Sequence, residues 1–131
     1  MRARVTVGGV LFIALFIVGV FASAGDRAGR RQWTVVNFAN PVQVMDRVVM
    51  GPTLIVHDDT KMAQGKACTS FYRFDTRTGP QEEILSFHCR PEARAVVEAT
   101  TFTYARGELG CQKLVAYQIA GDAEAHGVPA R

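Results

Sequence analysis

After residue 32 no stretch of this chain sustains the 3.6-residue apolar period of an amphipathic helix. Short runs rich in Val, Ile, Phe, Tyr and Thr recur instead, separated by Pro, Gly and Asp. Such runs favour the pleated, half-buried surface of a strand. Strands are expected at Trp33–Phe38, at Val42–Met50 with a break near Asp46, and at Thr53–His57. Others are expected at Cys68–Asp75, Glu83–Cys89, Ala95–Tyr104 and Lys113–Ala120. Pro41 and Pro52 stand where strands would start, a place that tolerates a missing N–H. Pro91–Thr100 is the ambiguous segment. Its Ala and Glu suit a short helix with Pro91 in the first turn, whereas Val96-Val97 and Thr100–Tyr104 suit a strand. The fold class expected is all-β, a small antiparallel sandwich or barrel of six or seven strands following an N-terminal signal helix.

The first 24 residues have another character. Arg2 and Arg4 precede an uncharged run, Val5–Phe21, and Ala22-Ser23-Ala24 follows it. This is the order of a secretory signal: a basic start, an apolar middle and a small-residue cleavage site. The rival readings are a retained anchor, since the run approaches the ~20 residues that cross a bilayer, and a buried core helix. Arg27, Arg30 and Arg31 lie on the side that favours retention. Residues 25–32 are expected as a linker, 33–120 as the β-domain and 121–131 as a polar C-terminal tail. With Arg2 and Arg4 set aside, the formal charge of +3 falls to +1. A nucleic-acid partner is thereby disfavoured. The expected location is periplasmic or extracellular, or anchored to the inner membrane if the segment is not cleaved.

Three cysteines are present. Cys68 and Cys89 bracket a hairpin whose turn contains Gly79-Pro80, with Thr76–Gln81 as its loop. If the two cysteines are directly opposed, Ser70 faces Phe87, Tyr72 faces Leu85 and Phe74 faces Glu83, forming one largely apolar face. Directly opposed cysteines are close enough for a disulfide, and export makes one plausible. Cys111 remains open as a buried thiol, an intermolecular partner, or the true partner of Cys68 or Cys89.

The histidines offer the other candidate chemistry. His57, Asp59, His88 and His126 supply imidazole and carboxylate, the usual ligands of zinc and copper. Strand ends gathered at one rim of a β-fold would bring them together. The opposing expectation is four ordinary polar side chains and no cofactor, because no tight motif such as H-x-x-x-H or C-x-x-C is present. Catalysis is disfavoured. No G-x-S-x-G, P-loop or dinucleotide fingerprint occurs, and the adjacent His88 and Cys89 would point to opposite faces of a strand. A binding or structural module of the cell envelope is the leading expectation, with an unknown protein or small-molecule ligand. It predicts an exposed apolar or aromatic groove.

Residues 34–44 (TVVNFANPVQV), residues 48–59 (VVMGPTLIVHDD), the F-H-C-x-P of residues 87–91 and the terminal AGDAEAHGVP of residues 120–129 resemble small exported bacterial proteins of unknown function. That resemblance implies an exported β-domain and carries no activity or functional residue with it. Met50-Gly51-Pro52 departs from the leucine-proline-x-glycine order of those proteins.

Overall fold

The computed structural model describes residues 30–131, so the apolar segment and most of the expected linker lie outside the described residues. Eight strands form one curled, mixed sheet, a half-barrel with little helix. They are β1 (Arg31–Val44), β2 (Arg47–Asp58), β3 (Thr69–Asp75), β4 (Gly79–Phe87), β5 (Arg90–Ala93), β6 (Thr101–Arg106), β7 (Gln112–Gln118) and β8 (Glu124–Gly127). A five-residue helix, α1 (Asp59–Ala63), joins β2 to the loop before β3. The order across the sheet is β4-β3-β2-β1-β7-β8-β5, and β6 pairs with β7. All-β is therefore the fold, with one departure from a wholly antiparallel sheet: β1 and β7 run parallel at Val42–Gln112 and Gln43–Lys113.

Strand β7 organises the curl. Antiparallel β6 occupies one of its edges along its length. The other edge is shared. β1 pairs at Gln112 and Lys113, and β8 takes over at Ala116 and Tyr117. The sheet thus divides between β1 and β8, and the divided arms fold around a common interior.

The β1–β2 hairpin is longer than the short runs suggested. Expected breaks at Pro41 and near Pro52 are absorbed within the two strands. A register shift between Phe38 and Val42 accommodates Pro41, and Gly51, the partner of Phe38 beside that shift, has a φ of +82° that suits glycine. The turn itself is only Met45-Asp46, with Met45 left-handed at φ 55°. Side chains alternate cleanly across it. Thr34, Val36 and Phe38 face inward with Ile55, Thr53 and His57, while Trp33 and Val35 face outward with Val56 and Leu54.

The β3–β4 register differs from expectation by one residue. Thr69 pairs with Phe87, Ser70 with Ser86 and Phe71 with Leu85, so Cys68 and Cys89 are not ladder partners. A slip of one residue exchanges the two faces. Phe71, not Tyr72, therefore enters the core, where it meets the rings of Phe87 and Tyr117. The turn and two register shifts beyond it, between Phe74 and Tyr72 and between Tyr72 and Phe71, set this pairing. Asp75 Oδ1 accepts the N–H groups of Arg77 (2.7 Å) and Thr78 (3.0 Å), and Gly79 adopts φ +88° to start β4 at once. The loop is Thr76–Thr78 rather than Thr76–Gln81.

Pro91 lies in the edge strand β5, where its missing N–H is harmless. Residues 94–100 are neither helix nor strand; the strand begins at Thr101. The expected polar tail is part of the sheet. β8 within it is held by β5 and β7, and Asp122, Ala125, His126 and Val128 are buried. The core comprises Phe38, Val42, Val44, Val49, Ile55, Phe71, Phe87, Leu114, Tyr117, Ile119 and Val128, continuous with Cys68 and Cys89. Among the described residues, no helix is long and apolar enough to cross a membrane.

Candidate metal centre

The interior between β2–β3 and β7–β8 holds sulfur, imidazole and carboxylate where a small β-protein would ordinarily place aliphatic side chains. β2 carries His57 inward because it alternates with the outward Val56 and the half-buried Asp58. β8 carries His126 inward through its pairing with Tyr117. Cys68 precedes β3, and its N–H donates to Phe87 O (3.0 Å). Cys89 follows β4, and its N–H donates to Cys68 Sγ (3.1 Å). The two chain ends are thereby tied although the cysteines are not directly opposed.

His57, Cys89 and His126 are fully buried and Cys68 is nearly so. Cys68 and Cys89 are free thiols with Sγ atoms 2.8 Å apart. Cys89 Sγ lies 3.4 Å from His57 Nε2 and 3.7 Å from His126 Nδ1. One ligand atom each from His57, Cys68 and Cys89 falls within 4.8 Å of the others. The rings of His57 and His126 stack with centroids 3.9 Å apart and planes tilted by 31°.

Carboxylates flank both imidazoles. Asp122 Oδ2 is 3.3 Å from His126 Nε2, and Glu124 Oε1 is 3.9 Å from its Nδ1. Asp59 Oδ1 is 3.3 Å from His57 Nδ1. That nitrogen makes no well-directed hydrogen bond although it is buried. A proton on Nδ1 faces the Asp59 carboxylate in this arrangement, and that tautomer turns the lone pair of Nε2 toward the Cys89 thiol. A carboxylate on the far side of a ring nitrogen is the arrangement that orients metal-ligating histidines.

Burial is the largest influence on the pKa of His57, lowering it to about 4. Its neighbour His126 lowers it further, Asp122 and Asp58 act in the opposite sense, and Arg30 adds a small lowering. Neutral imidazole, the ligating form, therefore prevails at neutral pH. Burial also raises the Cys89 thiol, and the adjacent Cys68 reinforces this. Tyr117 is raised for the same first reason, and its hydroxyl hydrogen-bonds with that of Thr69. A protonated, enclosed thiol is a poor nucleophile. Although Cys89, His57 and Asp59 line up as nucleophile, base and carboxylate, a substrate has to reach the sulfur and the sulfur has to ionise. A cation meets the second requirement itself, because a coordinating thiol loses its proton.

Of the four side chains expected to hold a metal, His57, Asp59 and His126 gather here. His88 does not: it is exposed in the two-residue link between β4 and β5, while its neighbour Cys89 is buried. Sequence reasoning missed Met62, whose Sδ lies 3.8 Å from Cys89 Sγ, and Asp122 behind His126. It also read Cys68 and Cys89 as a candidate disulfide pair and did not place them among the metal ligands. Cys111 is half-buried beyond the Glu108–Gly110 turn.

The outer face of the sheet carries the groove that a binding module would need. Trp33, Val35, Leu54, Val56, Phe74 and Pro80 line it, and Trp33 is 67% exposed. In comparisons with known proteins, no family model, curated protein or solved structure matches this chain.

Proposed function

We propose that this chain is an exported, non-enzymatic β-domain of the bacterial cell envelope that binds a thiophilic d10 cation, the class of zinc(II) and copper(I). His57, Cys68 and Cys89 are its primary ligands and His126 stands beside them. The observation carrying this reading is the convergence of three buried ligand atoms within 4.8 Å. Zinc bonds of ~2.3 Å to sulfur and ~2.0 Å to nitrogen, at tetrahedral angles, separate the two donors by about 3.5 Å. His57 Nε2 and Cys89 Sγ already stand 3.4 Å apart. The two sulfurs have to open from 2.8 Å by roughly 1 Å. Asp59 and Asp122 orient the two rings, and removal of such supporting groups weakens metal sites by about 10–100-fold.

The leader-like N-terminus supports export, which also exposes the thiols to oxidants. Under oxidation Cys68 and Cys89 form the expected disulfide, which offers no thiolate to a metal. The outward apolar groove favours a second role in docking a protein or small molecule.

A competitive zinc titration of the reduced protein against a chromophoric chelator tests the reading. One equivalent should bind, and the C68S/C89S double substitution should abolish binding while the far-ultraviolet circular dichroism stays unchanged. Reduced, folded protein that takes up neither zinc(II) nor copper(I) would refute it.

A further inference from the structure

The cluster contains a donor that zinc does not need. Helix α1 is short and built to present it. Asp58 Oδ1 accepts the N–H groups of Thr60 (2.9 Å) and Lys61 (3.2 Å), capping the helix start. The far end is closed by Gln64, Gly65 and Lys66, whose N–H groups return to carbonyls of Thr60, Lys61 and Met62. Between these fixed ends, Met62 packs against the buried core with its Sδ 3.8 Å from Cys89 Sγ. The same helix begins with Asp59, beside His57 Nδ1. One turn of chain therefore orients an imidazole with one residue and presents a thioether with another.

From this we infer that the site selects copper(I), with the Met62 thioether as the selecting ligand; the inference rests on the metal-binding reading above. Thiolate and thioether donors together select copper(I), whereas zinc is held by thiolate, imidazole and carboxylate. A set of two cysteine sulfurs, one methionine sulfur and one imidazole nitrogen is soft in three of its four members. Met62 is also the only one of these four that is half-exposed, while His57, Cys68 and Cys89 are buried. It thus stands at the less buried side of the cluster. Binding moves no electrons. The copper enters as copper(I), each ligating thiol gives its proton to solvent, and a copper–sulfur bond replaces the sulfur–hydrogen bond.

The test compares Met62→Leu with the unsubstituted protein, both reduced and kept anaerobic. Copper(I) affinity is read against a copper(I)-specific chromophoric chelator, and zinc(II) affinity is read separately. Copper(I) affinity should fall by about tenfold or more on substitution. Zinc(II) affinity should hold within about twofold, and it also serves as the check that the site is intact. Equal losses for both ions, or no loss for either, would overturn the assignment to Met62 while leaving a metal site in place. If the unsubstituted protein binds neither ion, the metal-binding reading falls and this inference falls with it.

Discussion

The two ends of the β1–β2 hairpin bury very different chemistry. At the turn end, Val42, Val44 and Val49 close together with Leu114 into an aliphatic interior. At the other end, His57 faces the interior with Thr69, Cys68, Cys89, Tyr117, Asp122 and His126. The first end is what folding requires: apolar area leaves water and nothing polar is left unpaired. The second end costs folding energy, since each buried polar group needs a partner and the Nδ1 of His57 has none that is well directed. A side-chain set that works against stability, yet offers converging soft donors, is understandable as a site rather than as a core.

The sharpest way to break that contrast is to weaken each end separately. Leu114→Ala should lower unfolding free energy by about 2–5 kcal/mol, whether or not zinc is present. Chemical denaturation in chelator and in zinc measures this. Zinc sensitivity of the loss would mean that the two ends are not independent.

Acid should act through the polar end. The unfolded chain binds a proton at His57 near the ordinary 6.5, the folded one only near 4. The metal-free protein should therefore keep this contribution above pH 6.5 and lose it progressively toward pH 4. Up to about 3 kcal/mol is at stake, at 1.36 kcal/mol per unit. Denaturation midpoints across that range, in wild type and His57→Gln, measure it. A slope that survives the substitution would assign the effect elsewhere.

The smallest effect is expected at Cys111, which belongs to neither end. Cys111→Ser should change stability by less than about 0.5 kcal/mol. After mild oxidation it should also remove the last thiol that can be alkylated, as mass spectrometry of alkylated protein would reveal. A residual free thiol in the substituted protein would mean that Cys68 and Cys89 had not closed.

Local pattern made much of this legible. The β-branched runs located the interiors of β1, β2, β3 and β7, and the residue types at His57, Asp59 and His126 pointed to a metal. The misplacements are non-local. β8 contains Glu-Ala-His-Gly, with no β-branched or aromatic residue, and becomes a strand only because β5 and β7 flank it. His126 was therefore a candidate with no known neighbour. The one-residue slip in β3–β4 comes from the Asp75 turn together with two register shifts beyond it, and it moved Phe71 inward. His88 falls in the short link after β4, on the exposed side. Met62 carried no signal, since a methionine in a short polar stretch acquires meaning only from what lies 3.8 Å away. The parallel contact of β1 with β7 joins segments about 70 residues apart in the chain, beyond the reach of any local pattern.

The most direct measurement is a crystal structure of the reduced protein loaded with zinc, with anomalous data collected at the zinc edge. The account predicts one strong peak at about 2.0–2.3 Å from His57 Nε2, Cys68 Sγ and Cys89 Sγ. A reduced, folded protein whose only zinc peaks lie at surface carboxylates, or which shows none, would contradict it.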